Sequence, residues 1–358
     1  MKVVVAAGGT GGHLYPALAL VEYIKKQEPD SQFLFIGTKD RLESQVVSQL
    51  GYDYVGLNVK GLVGNPLKKA HAALLFVCSI GHAKKTIKKF NPDIVVGFGG
   101  YPSASAVQAA FGLKIKTMIH EQNSIIGLTN KILIKKVDQI VCCYQKAYQE
   151  FPKEKTLLLG NPRASVIVHE QPKDVYDEYH LDRQKKVVTI VMGSLGSQTV
   201  NQTMKECMDQ FKGKDYQVVY VSGKPYYESM KAYENENVHI VPYVNDMPSL
   251  MHITDLIVSR AGASTLAELT ALGVPAILIP SPYVSANHQE YNARELVNNQ
   301  AADMILEKDL TGEKLISTID AIINDESRLN VLKENAQKLG KPNALEDMYR
   351  VIVDMLGK

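Results

Sequence analysis

Cysteine is scarce in this sequence. The 358 residues hold four, Cys78, Cys142, Cys143 and Cys207, with no Cys-x-x-Cys pair and no histidine at zinc-ligand spacing. A disulfide framework and a structural zinc site are therefore not expected, and the pattern suits a reducing cytoplasm. Adjacent Cys142 and Cys143 lie in an apolar run and read as packing residues. Charge of one sign is also missing: the formal net charge is +2, too small for a general nucleic-acid binder. No run of apolar residues reaches the length of a membrane-spanning helix. The apolar start of the N-terminus stops at once on glycines, too short for a signal-peptide core. What is abundant is ordinary globular composition, 45% hydrophobic and 22% charged, on a chain too long for one compact core.

Short β-branched runs alternate with longer helical stretches. Val3–Ala7, Gln32–Ile36, Ile94–Gly97, Thr117–His120 and Gln139–Cys143 read as buried strands, and a helix is expected from about Tyr15 to Gln27. The pattern pauses at Asn161–Pro162 and a charged stretch, then resumes with Val187–Met192, Gln217–Ser222, His239–Val241, Leu256–Val258 and Ala276–Ile279. Continuous apolar strands alternating with helices predict an α/β fold of two doubly wound, Rossmann-like parallel sheets facing across a cleft. The expected domains are residues 1–162 and 163–342, with a last amphipathic helix, 343–356, packing on either. Ligands of such sheets bind at the carboxyl ends of the strands.

Three segments at expected strand ends carry chemistry. Gly8-Gly9-Thr10-Gly11-Gly12-His13 follows the first strand and opens a helix. Its glycines permit close backbone approach, and the helix start favours an anion. The spacing is not G-x-G-x-x-G, and His13 is placed for proton abstraction or, alternatively, for capping and filling. Arg260-Ala261-Gly262-Ala263-Ser264-Thr265-Leu266-Ala267-Glu268 offers a second helix start of small residues for phosphate. There Glu268 can accept from two ribose or sugar hydroxyls, or can close a capping box with Thr265. Gly97-Phe98-Gly99-Gly100-Tyr101 and His120-Glu121-Gln122-Asn123 put polar groups where a second substrate enters.

In this order, together with the Gly-Asn-Pro-Arg segment at 160–163 and the Gly-Ser turn at 193–194, these motifs resemble the MurG family of bacterial glycosyltransferases over nearly the whole chain. The resemblance implies the two-domain GT-B fold. It also implies transfer of N-acetylglucosamine from UDP-N-acetylglucosamine to lipid I, undecaprenyl-pyrophosphoryl-MurNAc-pentapeptide, giving lipid II for peptidoglycan. By the same resemblance Thr10, Gly11 and Gly12 lie near the sugar–phosphate junction and the acceptor pyrophosphate, and Asn123 contacts the donor sugar. Arg163 contacts pyrophosphate, and Ser194 contacts a phosphate or another part of the donor. The backbone of Val244 meets uracil, Glu268 holds ribose, Gln289 binds the sugar, and the helix start from Ala263 through Ala267 receives the phosphates. Gly99, Gly100, Tyr101, His120 and Glu121 fall on the acceptor side, and His13 is the expected base. The chain departs from the family in having His288-Gln289 where Gln-Gln is frequent, and in a linker that reads Asn-Pro-Arg without an extra residue.

No Asp-x-Asp-like pair is placed to hold a metal on a pyrophosphate, so no metal and no cofactor is expected. Between Leu67 and Phe90, the apolar Leu74, Leu75, Phe76, Val77 and Ile80 are flanked by Lys68, Lys69, Lys84, Lys85, Lys88 and Lys89. That pattern suits either a core helix with a solvated end or peripheral contact with an anionic membrane surface, and the lipid-linked acceptor of the resembling family favours the cytoplasmic face of the cell membrane. The competing readings are an epimerase or hydrolase acting on UDP-N-acetylglucosamine, a nicotinamide-dependent dehydrogenase and a non-catalytic binding module. The dehydrogenase lacks its acidic residue after the second strand, where Gly37-Thr38 stands.

Overall fold

A computed structural model describes residues 1–61 and 65–358. The chain forms two compact units, Met1–Ser165 with Asn343–Lys358, and Val166–Pro342.

The first unit is built on a parallel sheet of β1 (Lys2–Ala6), β2 (Gln32–Thr38), β3 (Asp53–Leu57), β4 (Ile94–Gly97), β5 (Lys116–Glu121), β6 (Gln139–Cys142) and β7 (Thr156–Leu158), in the order β3-β2-β1-β4-β5-β6-β7. The central strands are apolar throughout because helices cover both faces: Val3, Val4, Val5 and Ala6 are all fully buried. Between them run α1 (Gly11–Gln27), α2 (Leu42–Gln49), α3 (Pro66–Phe90) and α4 (Gly100–Phe111). The terminal helix Ala344–Leu356 packs on α1, where Tyr23 and Tyr349 meet edge to face at 5.8 Å and the Tyr349 hydroxyl donates to Glu28 at 3.0 Å.

The second unit repeats the architecture with β8 (Lys186–Val191), β9 (Tyr216–Val221), β10 (Val238–Val241), β11 (Leu256–Ser259), β12 (Ala276–Leu278) and β13 (Ala302–Met304), in the order β10-β9-β8-β11-β12-β13. Both sheets reverse their winding beside the first strand of the unit, at β1/β4 and β8/β11. The motif loops follow those four strands, at the switch points where open α/β sheets bind ligands.

The first helix begins at Gly11, four residues earlier than its sequence suggests. Pro16 lies inside it and removes the hydrogen bond that the Gly12 carbonyl would accept. All four cysteines are free thiols. Burial pushes the Cys142 thiol up to about 12, the Cys207 thiol up to about 11 and the Cys143 thiol well above its ordinary value, so these three are packing groups rather than reactive thiolates.

Candidate functional site

In the first unit the loops after β1 and β4 interlock. The Gly8 N–H donates to the Gly99 carbonyl at 3.2 Å. Gly100 has φ +82°, and a Cβ there would lie 2.4 Å from the Gly8 carbonyl oxygen, so only glycine allows this approach. Neither α1, with Thr10 at its N-cap, nor α4, with Gly99, has a side chain capping its first amides. Such helix starts are suited to an anion.

His13 stands in the first turn of α1, half-buried. Its Nδ1 lies 2.8 Å from the Gly8 carbonyl oxygen and 3.4 Å from the Thr10 hydroxyl. A carbonyl can only accept, so Nδ1 carries the proton and, in the neutral ring, the lone pair is on Nε2. A Cβ on Gly99 would be 2.8 Å from Nε2, so only glycine fits against this edge of the ring. Tyr101 is the second residue of α4 and is half-buried.

The segment after β5 is mostly internal. His120 is fully buried and its Nε2 donates to the Gly160 carbonyl at 2.9 Å. Burial brings its imidazole down to about 4, opposed by that hydrogen bond, so it stays neutral. Glu121 is 2% exposed and accepts from the Asn123 and Gly127 amides and from the Asn130 side chain. Burial raises its carboxyl despite these donors. The side chains of His120 and Glu121 thus shape the loop from behind, and half-buried Asn123 is the member of the segment nearer solvent. Asn161 takes the Arg163 amide on its side-chain oxygen at 3.0 Å, fixing the start of the helix that carries Arg163.

The second unit repeats the interlock. Gly196, at φ +73°, leaves no room for a Cβ against the Ser222 carbonyl, 2.2 Å away, and Gly223 is packed as closely against Leu195. This fixes the loop that exposes Ser194. Arg260, at the end of β11, ties the same loop down: one guanidinium nitrogen reaches the Ser197 hydroxyl at 2.8 Å and Glu307 at 2.5 Å, and the other the Ile279 carbonyl at 3.1 Å. Glu307 belongs to no sequence motif: it is one of two acids, with Asp309, in the short turn after β13.

The helix Ala263–Leu272 has Gly262 as its N-cap and no side-chain cap. Thr265 sits inside the first turn, so the capping-box spacing Thr265-x-x-Glu268 is not used as a cap. The amides of Ala263, Ser264 and Thr265 head the helix, with Leu266 buried on its inner face and Ala267 and Glu268 half-buried in the next turn. Gln289 accepts from the Ser281 amide at 2.9 Å, which turns its NH₂ donors outward from that bond, whereas the His288 ring is held by the Ser285 carbonyl. Val244 lies buried in the loop after β10.

In α3, Ala72, Ser79, Ala83 and Ile87 form the buried stripe, and Phe76 and Ile80 pack on the core with it. The apolar run therefore divides. Leu67, Leu74 and Val77 point outward at 81%, 62% and 64% exposure, flanked by exposed lysines, while half-buried Phe76 and Ile80 pack against the core. No helix among the described residues is long and apolar enough to cross a membrane.

Residues 3–142 match the glycosyltransferase family 28 N-terminal domain and residues 187–348 its C-terminal domain. The chain is 42% identical to the UDP-N-acetylglucosamine--N-acetylmuramyl-(pentapeptide) pyrophosphoryl-undecaprenol N-acetylglucosamine transferase of Pediococcus pentosaceus, over 98% of this chain and 99% of that protein. It is 41% identical to the protein of the same name from Listeria monocytogenes, over 99% and 100%. Among solved structures it resembles Acinetobacter baumannii MurG, with TM-score 0.82 and 26% identity over 99% of both chains. A UDP-GlcNAc 2-epimerase from Neisseria meningitidis shares the fold at TM-score 0.69 and 15% identity, over 99% of this chain and 100% of that one.

Proposed function

The chain belongs to the family of UDP-N-acetylglucosamine–N-acetylmuramyl-(pentapeptide) pyrophosphoryl-undecaprenol N-acetylglucosamine transferases, and from that premise we propose how its residues divide the work of the reaction. The reaction is transfer of N-acetylglucosamine from UDP-N-acetylglucosamine to the lipid-linked muramyl-pentapeptide, forming lipid II. The acceptor hydroxyl oxygen bonds to the anomeric carbon as the bond from that carbon to the UDP oxygen breaks. The hydroxyl proton passes to a base and UDP leaves with the electron pair, so the configuration inverts.

The base in this reading is His13, and the observation that carries it is the Nδ1–H bond to the Gly8 carbonyl, which leaves the lone pair on Nε2. Thr10, Gly11 and Gly12 supply amides near the sugar–phosphate junction, with Asn123 at the donor sugar and Arg163 at the pyrophosphate. In the second unit, the uncapped start of helix Ala263–Leu272 receives phosphate, where its dipole favours the charge that grows on UDP as it leaves. Ser194 adds a phosphate contact, the Val244 backbone meets uracil, Glu268 holds ribose, and Gln289 turns its amide donors to the sugar. Gly99, Gly100 and Tyr101 border the acceptor, with His120 and Glu121 holding the neighbouring loop in shape. No step in this scheme calls for a metal or a cofactor.

Glu268→Ala tests the donor assignment. Losing a hydrogen bond to a charged group costs about 1.5–3 kcal/mol, so UDP affinity by calorimetry should fall by roughly ten- to hundredfold. Since Gly262 is the cap, the variant should melt without the loss that removing a cap brings. Unchanged UDP affinity would remove Glu268 from the donor site.

We also place the reaction at the cytoplasmic face of the membrane, with the outer face of α3 resting on anionic lipid. Exposed Leu67, Leu74 and Val77 among lysines support this, as do the free thiols. Each lysine near such a surface contributes about 1 kcal/mol. Changing Lys84, Lys85, Lys88 and Lys89 together to glutamate should release the protein from anionic vesicles in a flotation assay, while transfer to a short-chain soluble acceptor survives. Equal flotation of both forms would assign docking to another surface.

A further inference from the structure

Glu43 stands at the second position of α2, outside every motif that the sequence brings forward, and is 1% exposed. Its Oε1 accepts three hydrogen bonds: from the Gly9 amide at 3.2 Å, the Thr38 amide at 3.1 Å and the Thr38 hydroxyl at 2.5 Å. Its Oε2 is buried with no hydrogen-bond partner among the described residues. All three donors are neutral. A buried carboxylate held this way is costly, and holding a loop does not by itself require a charge, because a neutral amide oxygen accepts the same three bonds.

The Gly9 N–H and the Gly8 C=O are the two ends of one planar peptide unit. At its far end that carbonyl accepts the Nδ1–H of His13 at 2.8 Å. Carboxylate, peptide and imidazole therefore form one hydrogen-bonded chain. Negative charge at the N–H end polarises the peptide and strengthens the carbonyl as an acceptor. A stronger acceptor at Nδ1 holds the ring in the tautomer with its lone pair on Nε2, and it stabilises the imidazolium formed when Nε2 takes a proton. A carboxylate bonded directly to Nδ1 does the same for the histidine of a Ser-His-Asp triad. The packing around the chain is built for it. A Cβ on Gly37 would lie 2.8 Å from the Glu43 Cγ, and one on Gly8 would lie 3.1 Å from Oε1 and 2.8 Å from Pro102, so glycine at both positions lets the carboxylate sit directly beneath the loop.

We propose that Glu43 is a positioning residue for the transfer reaction, acting through the Gly8–Gly9 peptide to orient His13 and to stabilise its protonated form. The proposal rests on the reading of His13 as the base, and the test separates the two.

Turnover, KM, UDP affinity and melting temperature are measured on the full chain for the parent, Glu43→Gln, His13→Ala and the double variant. Glutamine keeps the shape and one acceptor oxygen but removes the charge. Charge-assisted hydrogen bonds are roughly twice as strong as neutral ones, so Glu43→Gln should lower kcat by about tenfold with KM and UDP affinity unchanged. In the His13→Ala background it should cost nothing further, because its effect travels through the missing ring. Parental kcat in Glu43→Gln would mean that a neutral acceptor suffices, and would overturn the proposal. An equal loss in both backgrounds would also overturn it while leaving His13 as the base. Parental turnover in His13→Ala would instead remove the base reading, and this proposal with it. Nitrogen NMR of the His13 ring in the parent gives a readout that needs no variant to fold: the Nδ1-protonated tautomer is expected, and a dominant Nε2-protonated tautomer contradicts the proposal.

Discussion

His13→Ala should lower turnover by about 10² to 10⁴, the usual contribution of a general base, with affinity for UDP-N-acetylglucosamine nearly unchanged. The asymmetry follows from placement. His13 is anchored in the first unit by the Gly8 carbonyl, whereas the uracil, ribose and phosphate contacts proposed above are drawn mainly from the second unit. His13→Gln should be as impaired, because an amide can accept and donate hydrogen bonds but cannot take up the proton. Turnover and donor binding measured on one preparation decide the matter. Near-normal turnover in a folded variant would exclude His13. Glu121 would be a poor replacement, since its buried carboxylate already accepts from Asn123, Gly127 and Asn130.

The second large effect is on stability. Arg260 and Glu307 form an ion pair at 2.5 Å with side chains only 12% and 5% exposed. Removing one partner of a buried pair leaves the other charge uncompensated, at a cost of about 3–5 kcal/mol. Glu307→Ala should therefore destabilise the second unit by that amount in urea or thermal unfolding. It should also loosen the Ser194 loop, because the same guanidinium bonds the Ser197 hydroxyl and the Ile279 carbonyl. A change under about 1 kcal/mol, the range of exposed pairs, would show that solvent reaches this pair in solution.

The parallel-sheet class was legible because strands covered on both faces must be apolar along their whole length. Val3–Ala7 and Val187–Met192 differ from the observed β1 and β8 by one residue at each end. The strands left out are β3, β7 and β13, all at sheet edges. β3 mixes Asp53 and Gly56 into its run and β13 carries Asp303 in the middle of its three residues, so neither reads as a continuous apolar run. At the site, the glycine loops could be read because close backbone approach demands glycine. Their reason was hidden: Gly100 and Gly196 make room for carbonyls of neighbouring loops, Gly8 and Ser222, that sequence alone does not bring together. Glu43 and Glu307 were missed for the same cause. Neither belongs to a sequence motif, and the meaning of each lies in which backbone or side-chain donors the fold delivers to it. Phe76 and Ile80 show the converse, since an apolar run beside lysines does not tell which residues face inward until the helix is packed.

The epimerases that share this fold show that the architecture alone does not fix the fate of the sugar. The measurement that bears most directly on the account follows radiolabelled N-acetylglucosamine from UDP-N-acetylglucosamine in the presence of a lipid-linked muramyl-pentapeptide acceptor. The account predicts that label appears in the lipid-linked product with inverted anomeric configuration, in step with UDP release, and that His13→Ala suppresses it. Label recovered instead in free sugar or in an epimerised UDP-sugar, with none on the acceptor, would contradict it.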